Sequence, residues 1–162
     1  MQIAAQKNLY QNKTMAIEIQ PEVIKDIAEW LDAGMLVFVH RTTGEVINYP
    51  DNLEDSDLED MWEDLTSKVE ANPDDYLSIE PMHSSEAYKI MEGFIFGIDN
   101  AGTRNTFSQV IERKKPFRQF NDLLSSYDDL RQQWFAYKAE RYIAYVKRQI
   151  ELDAEEDDDE DL

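Results

Sequence analysis

Residues 104–150 hold nine of the 18 aromatic side chains and ten of the 16 Lys and Arg residues, against five acidic ones. Cations interleaved with rings are the composition of a surface that stacks bases and grips phosphate, or that seats an acidic partner. The candidates for such a surface are Arg113, Lys114, Lys115, Arg118, Phe135, Lys138, Arg141 and Tyr142. A core competes for the same rings. Leu130, Trp134, Tyr137 and Arg141 fall at i, i+4, i+7 and i+11, and Phe117, Phe120 and Leu124 share a second helical face. Most of the aromatics are therefore expected inside, leaving Phe135, Tyr142 and Tyr145 for a second side that faces a partner.

Other chemistries fail on inventory. The chain has no cysteine and only His40 and His83, so a tetrahedral metal site would need both histidines plus carboxylates. His83-Ser-Ser-Glu86 has a ligand-like i, i+3 spacing but lacks a second pair. The acidic run from Asp55 fails as a calcium loop, because its sixth and twelfth positions are Asp60 and Thr66 where glycine and glutamate are required. The five glycines are scattered and form no phosphate loop or nucleophile elbow. No catalytic residue, metal or cofactor is assigned, and an enzyme of unknown class ranks behind the binding readings.

The elements that would position these residues follow from period and punctuation. Pro21 opens a helix through Val23, Ile24, Ile27, Ala28 and Leu31, and Gly34 stops it. Residues 35–40 and 46–49 read as a hairpin whose loop places Gly44 where positive φ is needed. A strand is also expected over 16–19. Ser56 and Glu59 form a capping box before the stripe Leu58, Met61, Trp62, Leu65 and Val69. A turn over 72–75 precedes a strand containing Leu77 and Ile79. Ser84 or Ser85 should cap a helix that buries Ala87, Ile90, Met91, Phe94, Ile95 and Ile98, with Gly93 and Gly97 permitting close packing. Residues 100–102 read as a break before a short helix carrying Phe107, Val110 and Ile111. Pro116 begins another helix with Phe117, Phe120, Leu123 and Leu124 inward, and Ser126 with Asp129 caps the long last one.

Charge is unevenly placed along the chain. The formal net charge of -19 combines -15 over residues 1–103, +5 over 104–150 and -9 over 151–162. The total disfavours nucleic acid, while the basic middle asks for an explanation. The tail over 151–162 should leave the helix near Glu151, because carboxylates at a helix C-terminus oppose its dipole; extended, it is long enough to reach the basic stretch, although solubilisation is the favoured role. No run approaches the ~20 apolar residues of a membrane helix, and the first 15 residues form no signal-peptide core. The default is a cytoplasmic protein with no membrane contact.

Lys115-Pro-Phe-Arg-Gln-Phe-Asn-Asp-Leu-Leu124, followed by Leu130-Arg-Gln-Gln-Trp-Phe-Ala-Tyr137, resembles the C-terminal signature of the bacterial uncharacterised protein family 0158. Arg104-Asn-Thr-Phe-Ser-Gln-Val-Ile111 is similar to the segment that precedes it. The resemblance covers roughly residues 90–150 and departs at Lys115-Pro116 and Tyr137. It implies a bacterial cytosolic protein and brings no activity, cofactor or catalytic residue. Within the Phe-Arg-x-Phe-x-Asp stretch, Phe117 and Phe120 are expected to bury together while Arg118 and Asp122 pair at i, i+4 as a structural lock.

The expected fold is α+β: a small antiparallel sheet, made of the hairpin plus one strand, covered by helices and joined to a helical C-terminal part. Residues 15–150 should form one domain, with 1–14 and 151–162 disordered. The leading functional expectation is a non-catalytic binding or regulatory module whose basic, aromatic C-terminal surface meets a protein partner or a second copy. RNA or single-stranded nucleic acid, gated by the acidic tail, is the alternative.

Overall fold

The computed structural model describes residues 18–51 and 59–160. The protein is α+β. In chain order its elements are α1 (Pro21–Asp32), β1 (Met35–His40), β2 (Val46–Pro50), α2 (Glu59–Ala71), a 3-10 turn (Pro73–Asp75), β3 (Tyr76–Ile79), α3 (Ser84–Phe96), α4 (Ala101–Val110), α5 (Pro116–Leu124) and α6 (Asp128–Glu160). They fall into two compact units, one within Met1–Pro81 and Tyr142–Leu162, the other Met82–Arg141, where a single domain over 15–150 is the sequence expectation. The N-terminal stretch 1–14 and the Ser56 half of the capping box lie outside the described residues; Glu18 and Ile19, expected in a strand, are in none.

The first unit is built on an antiparallel sheet of order β2-β1-β3. Register pairs Val37 with Ile79 and Val39 with Leu77 on one face, and Leu36 with Tyr49 and Phe38 with Ile47 on the other. Because alternate residues of a strand face opposite sides, both faces are apolar and both need cover. Ile47, Tyr49 and Tyr76 pack with Val69, Trp62 and Leu65 of α2 on one side. Met61, expected in that stripe, is 68% exposed. Helix α1 buries Ile24, Ile27, Ala28 and Leu31 and packs on β1. Gly34 and Gly44 take φ of 84° and 74°, the conformations that end α1 and turn the hairpin.

The hairpin turn is tied down by side chains. His40 Nδ1 accepts the Thr42 and Thr43 backbone N–H groups at 3.2 and 3.1 Å, and its ring meets Tyr76 edge-on at 4.9 Å. Arg41 donates from Nε to the Asp74 carbonyl at 3.2 Å and pairs with the Asp153 carboxylate. The C-terminal part of α6 completes this unit: Tyr145 and Val146 are buried, and the Tyr145 hydroxyl donates to the Glu80 carbonyl at 2.6 Å.

Helix α6 thus continues to Glu160 and does not end near Glu151. The Arg41 guanidinium, held on the hairpin, neutralises one carboxylate of the acidic stretch where the dipole argument counted only repulsion.

The second unit is all helix. Met91, Phe94, Ile95, Ile98, Phe107, Ile111, Phe120, Leu124 and Trp134 form its core. The rings interlock, Phe94 to Trp134 at 5.3 Å and Phe120 to Trp134 at 4.9 Å edge to face, and Phe107 to Phe120 tilted at 5.6 Å. Such pairs add ~0.5–1.5 kcal/mol each beyond the area they bury. Residues 100–102 are no break: Asn100 is the N-cap of α4, accepting the Thr103 N–H at 3.0 Å. Helix α3 starts after His83 with no side-chain cap, and α6 starts at Asp128, two residues beyond Ser126. Gly93 does permit close packing, whereas Gly97 meets only its own helix backbone and ends α3.

Candidate functional site

Two features of the second unit carry chemistry. The first is the outer side of α6 between Asp128 and Arg141. Leu130, Trp134 and Tyr137 turn inward at helical spacing, so Arg131, Phe135 and Lys138 come together on another stripe at i, i+4 and i+7. Phe135 is 49% exposed. The Arg131 guanidinium lies 5.4 Å from its ring centre and the Lys138 ammonium 5.8 Å, with Lys138 also 5.9 Å from the Trp134 ring. Arg141 stacks on Tyr137 at 4.9 Å. Each cation over a ring contributes ~0.5–1 kcal/mol at an exposed site, and together they hold a half-exposed ring in one orientation. Arg131 is missing from the sequence candidates, although its i, i+4 spacing to Phe135 is the signal that finds it.

The remaining candidates divide. Arg113, Lys114, Lys115 and Arg118 are all exposed at the α4–α5 turn and the start of α5. Lys115 takes φ 55° and ψ 60°, a left-handed conformation that lets Pro116 start α5 immediately. Tyr142 belongs to the first unit instead, half-buried, with burial first and then Asp32 pushing its phenol pKa above the usual 10.0. Tyr145 is buried in that unit too. Of the three rings expected to face a partner, Tyr142 and Tyr145 therefore belong to the first unit, and Phe135 stays exposed on the second.

The expected lock in α5 is also corrected. Phe120 is 1% exposed, but Phe117 remains 39% exposed and meets Tyr88 edge-on at 6.4 Å. Among the described residues Arg118 and Asp122 form no ion pair, both being exposed where a pair gains little over hydration. Of the histidines, His40 is engaged by the hairpin turn and His83 is exposed. Among the described residues no three His, Cys, Asp or Glu side chains are grouped to hold a metal.

The second feature is a cleft of about 560 Å³ between α3 and α4. One wall carries Tyr88, Lys89, Glu92 and Phe96; the other carries Arg104, Asn105, Ser108 and Glu112. Gly93 also lines it, and a Cβ there would stand 2.8 Å from the Tyr137 hydroxyl of α6. Arg104 Nη1 donates to the Ile98 carbonyl at 2.7 Å and the Tyr88 hydroxyl donates to the Ile111 carbonyl at 3.2 Å. Nothing in the sequence marks this cleft, because its walls converge only when α3 and α4 fold back on each other.

Comparison with known proteins adds kinship without chemistry. The model of the uncharacterised protein family UPF0158 matches residues 12–159. The UPF0158 protein PA5073 of Pseudomonas aeruginosa is 28% identical over 96 residues, which cover 59% of this chain and 60% of that protein. No solved structure matches. Among the described residues no helix is long and apolar enough to cross a membrane.

Proposed function

The chain belongs to the uncharacterised protein family UPF0158, whose name carries no activity, and from its geometry we propose a cytosolic, non-catalytic binding or regulatory module that meets a protein partner through the basic, aromatic surface of its second unit. The observation that supports this is the Phe135 ring, 49% exposed yet braced between Arg131 and Lys138. A pre-oriented aromatic anchor loses little freedom on binding, and the flanking cations select acidic side chains around it. Exposed Arg113, Lys114, Lys115 and Arg118 extend the basic character in sequence. Nucleic acid is the second reading for the same residues, and the overall charge of -19 repels it at long range.

A photo-crosslinking residue at Phe135, in intact bacteria, tests the proposal. Protein adducts should form there, fall at least about tenfold with Arg131→Glu plus Lys138→Glu, and be absent when the crosslinker replaces exposed Lys25 of α1. Adducts that survive the charge reversals overturn it. Adducts destroyed by ribonuclease transfer the surface to RNA.

A further inference from the structure

We infer that the cleft between α3 and α4 is a binding site for a zwitterionic ligand the size of a di- or tripeptide with an aromatic or apolar side chain. The inference stands apart from the α6 surface and uses none of its residues. Its first ground is the charge pattern of the walls. Lys89 and Glu92 line the cleft from α3, Arg104 from α4 and Glu112 from the turn that follows it. Among the described residues none of these four forms an ion pair with another side chain. A polyanion would meet Glu92 and Glu112, a polycation would meet Lys89 and Arg104, and a neutral ligand would leave all four charges unanswered. Only a ligand that presents both signs satisfies both walls.

The second ground is an exposed ring and an oriented guanidinium with donors to spare. Phe96 is 86% exposed at the edge of the cleft, an aromatic ring left out of both cores. With Tyr88, fixed through its hydroxyl to the Ile111 carbonyl, it offers apolar surface to a side chain. Arg104 spends one donor on Ile98, which orients its guanidinium fork, and its other donors have no partner among the described residues. Asn105 and Ser108 supply short amide and hydroxyl groups between the charges, suited to a peptide bond. The volume of about 560 Å³ falls inside the ~300–1,000 Å³ range of small-molecule sites and exceeds what a single amino acid fills.

The test is titration of the full-length, isotope-labelled protein with a pooled set of di- and tripeptides at millimolar concentration, read by backbone amide shifts. Shifts should concentrate in residues 88–112, and the strongest binders should carry Phe, Tyr, Trp or Leu. Blocking the amino terminus, or amidating the carboxyl terminus, should each weaken binding about tenfold, and Glu112→Gln and Arg104→Gln should do the same. Arg104→Gln also loses the bond to Ile98, so exposed Glu112→Gln is the decisive variant, with Glu22→Gln on α1 as a neutral control. The inference is overturned by an absence of shifts in 88–112, by doubly blocked peptides that bind equally well, or by inorganic polyphosphate binding there more tightly than the peptides.

Discussion

At the scale of single residues, the approach of Gly93 to Tyr137 is a contact that mutation can dissect. A Cβ at 93 meets the Tyr137 hydroxyl at 2.8 Å, but the next nearest atom, Tyr137 Cζ, is 3.9 Å away. Gly93→Ala alone should therefore destabilise the protein by about 1–3 kcal/mol through overpacking. In a Tyr137→Phe background the clash disappears, and the same substitution should stabilise by up to ~1 kcal/mol through helix propensity. A double-mutant cycle in urea reads the change of sign; additive effects would place the two residues out of contact. Tyr49 and Tyr142, whose pKa values are raised, make a second residue-scale case. Burial is the main cause in both, reinforced by Glu70 and Asp32 respectively. Their neutral forms are favoured in the folded state, so nothing is lost below pH 10.0. As pH rises through that value the unfolded chain ionises first, and stability falls until the folded phenols ionise as well. Tyr49→Phe with Tyr142→Phe should flatten the alkaline limb of a stability-against-pH curve; an unchanged limb would assign it to other groups.

At the scale of elements, α6 is where expectation and structure differ most. Periodicity correctly marks Trp134 and Tyr137 as core and exposes a second apolar stripe, but period alone cannot name what covers it. Tyr142, Tyr145 and Val146 belong to that stripe and pack in the first unit, a pairing made across more than 60 residues of sequence, as between Tyr145 and Glu80. The hairpin and α5 were legible because glycine and proline act locally: Gly34, Gly44 and Pro116 stand where backbone geometry needs them. Asn100 misled in the opposite direction, since an N-cap and a break share one composition and only the bond to Thr103 separates them. The α3–α4 cleft had no signal of either kind. At the acidic end of α6, Asp153 is paired with Arg41 of the hairpin. Arg41→Met should speed amide exchange over residues 149–155 and leave α3 unchanged; equal protection in both proteins would deny the pair a role in holding the helix end.

At the scale of the whole chain, charge and compactness separate along the same line. Residues 82–141 carry nine Lys and Arg against eight Asp and Glu, whereas the rest of the chain carries seven against 27. Nearly all of the net charge is therefore self-repulsion within one unit, and salt should relieve it. Raising ionic strength shortens the Debye length to ~10 Å at 0.1 M, so the thermal transition of the first unit should move upward with added sodium chloride, while that of residues 82–141 moves little. Calorimetry at several salt concentrations distinguishes the two, and a downward shift would mean that attraction such as Lys68 with Glu45 outweighs the repulsion.

The division of the chain also sets an order of assembly during synthesis. Residues 82–141 are contiguous, so their core can close as soon as Trp134 has left the ribosome. The sheet of the first unit is made much earlier, yet it must wait, because Tyr145 and Val146, the latter 0% exposed, come from beyond the second unit. The strands translated first are thus completed last, and until residue 146 is out their apolar surface depends on whatever in the cell shields nascent chains.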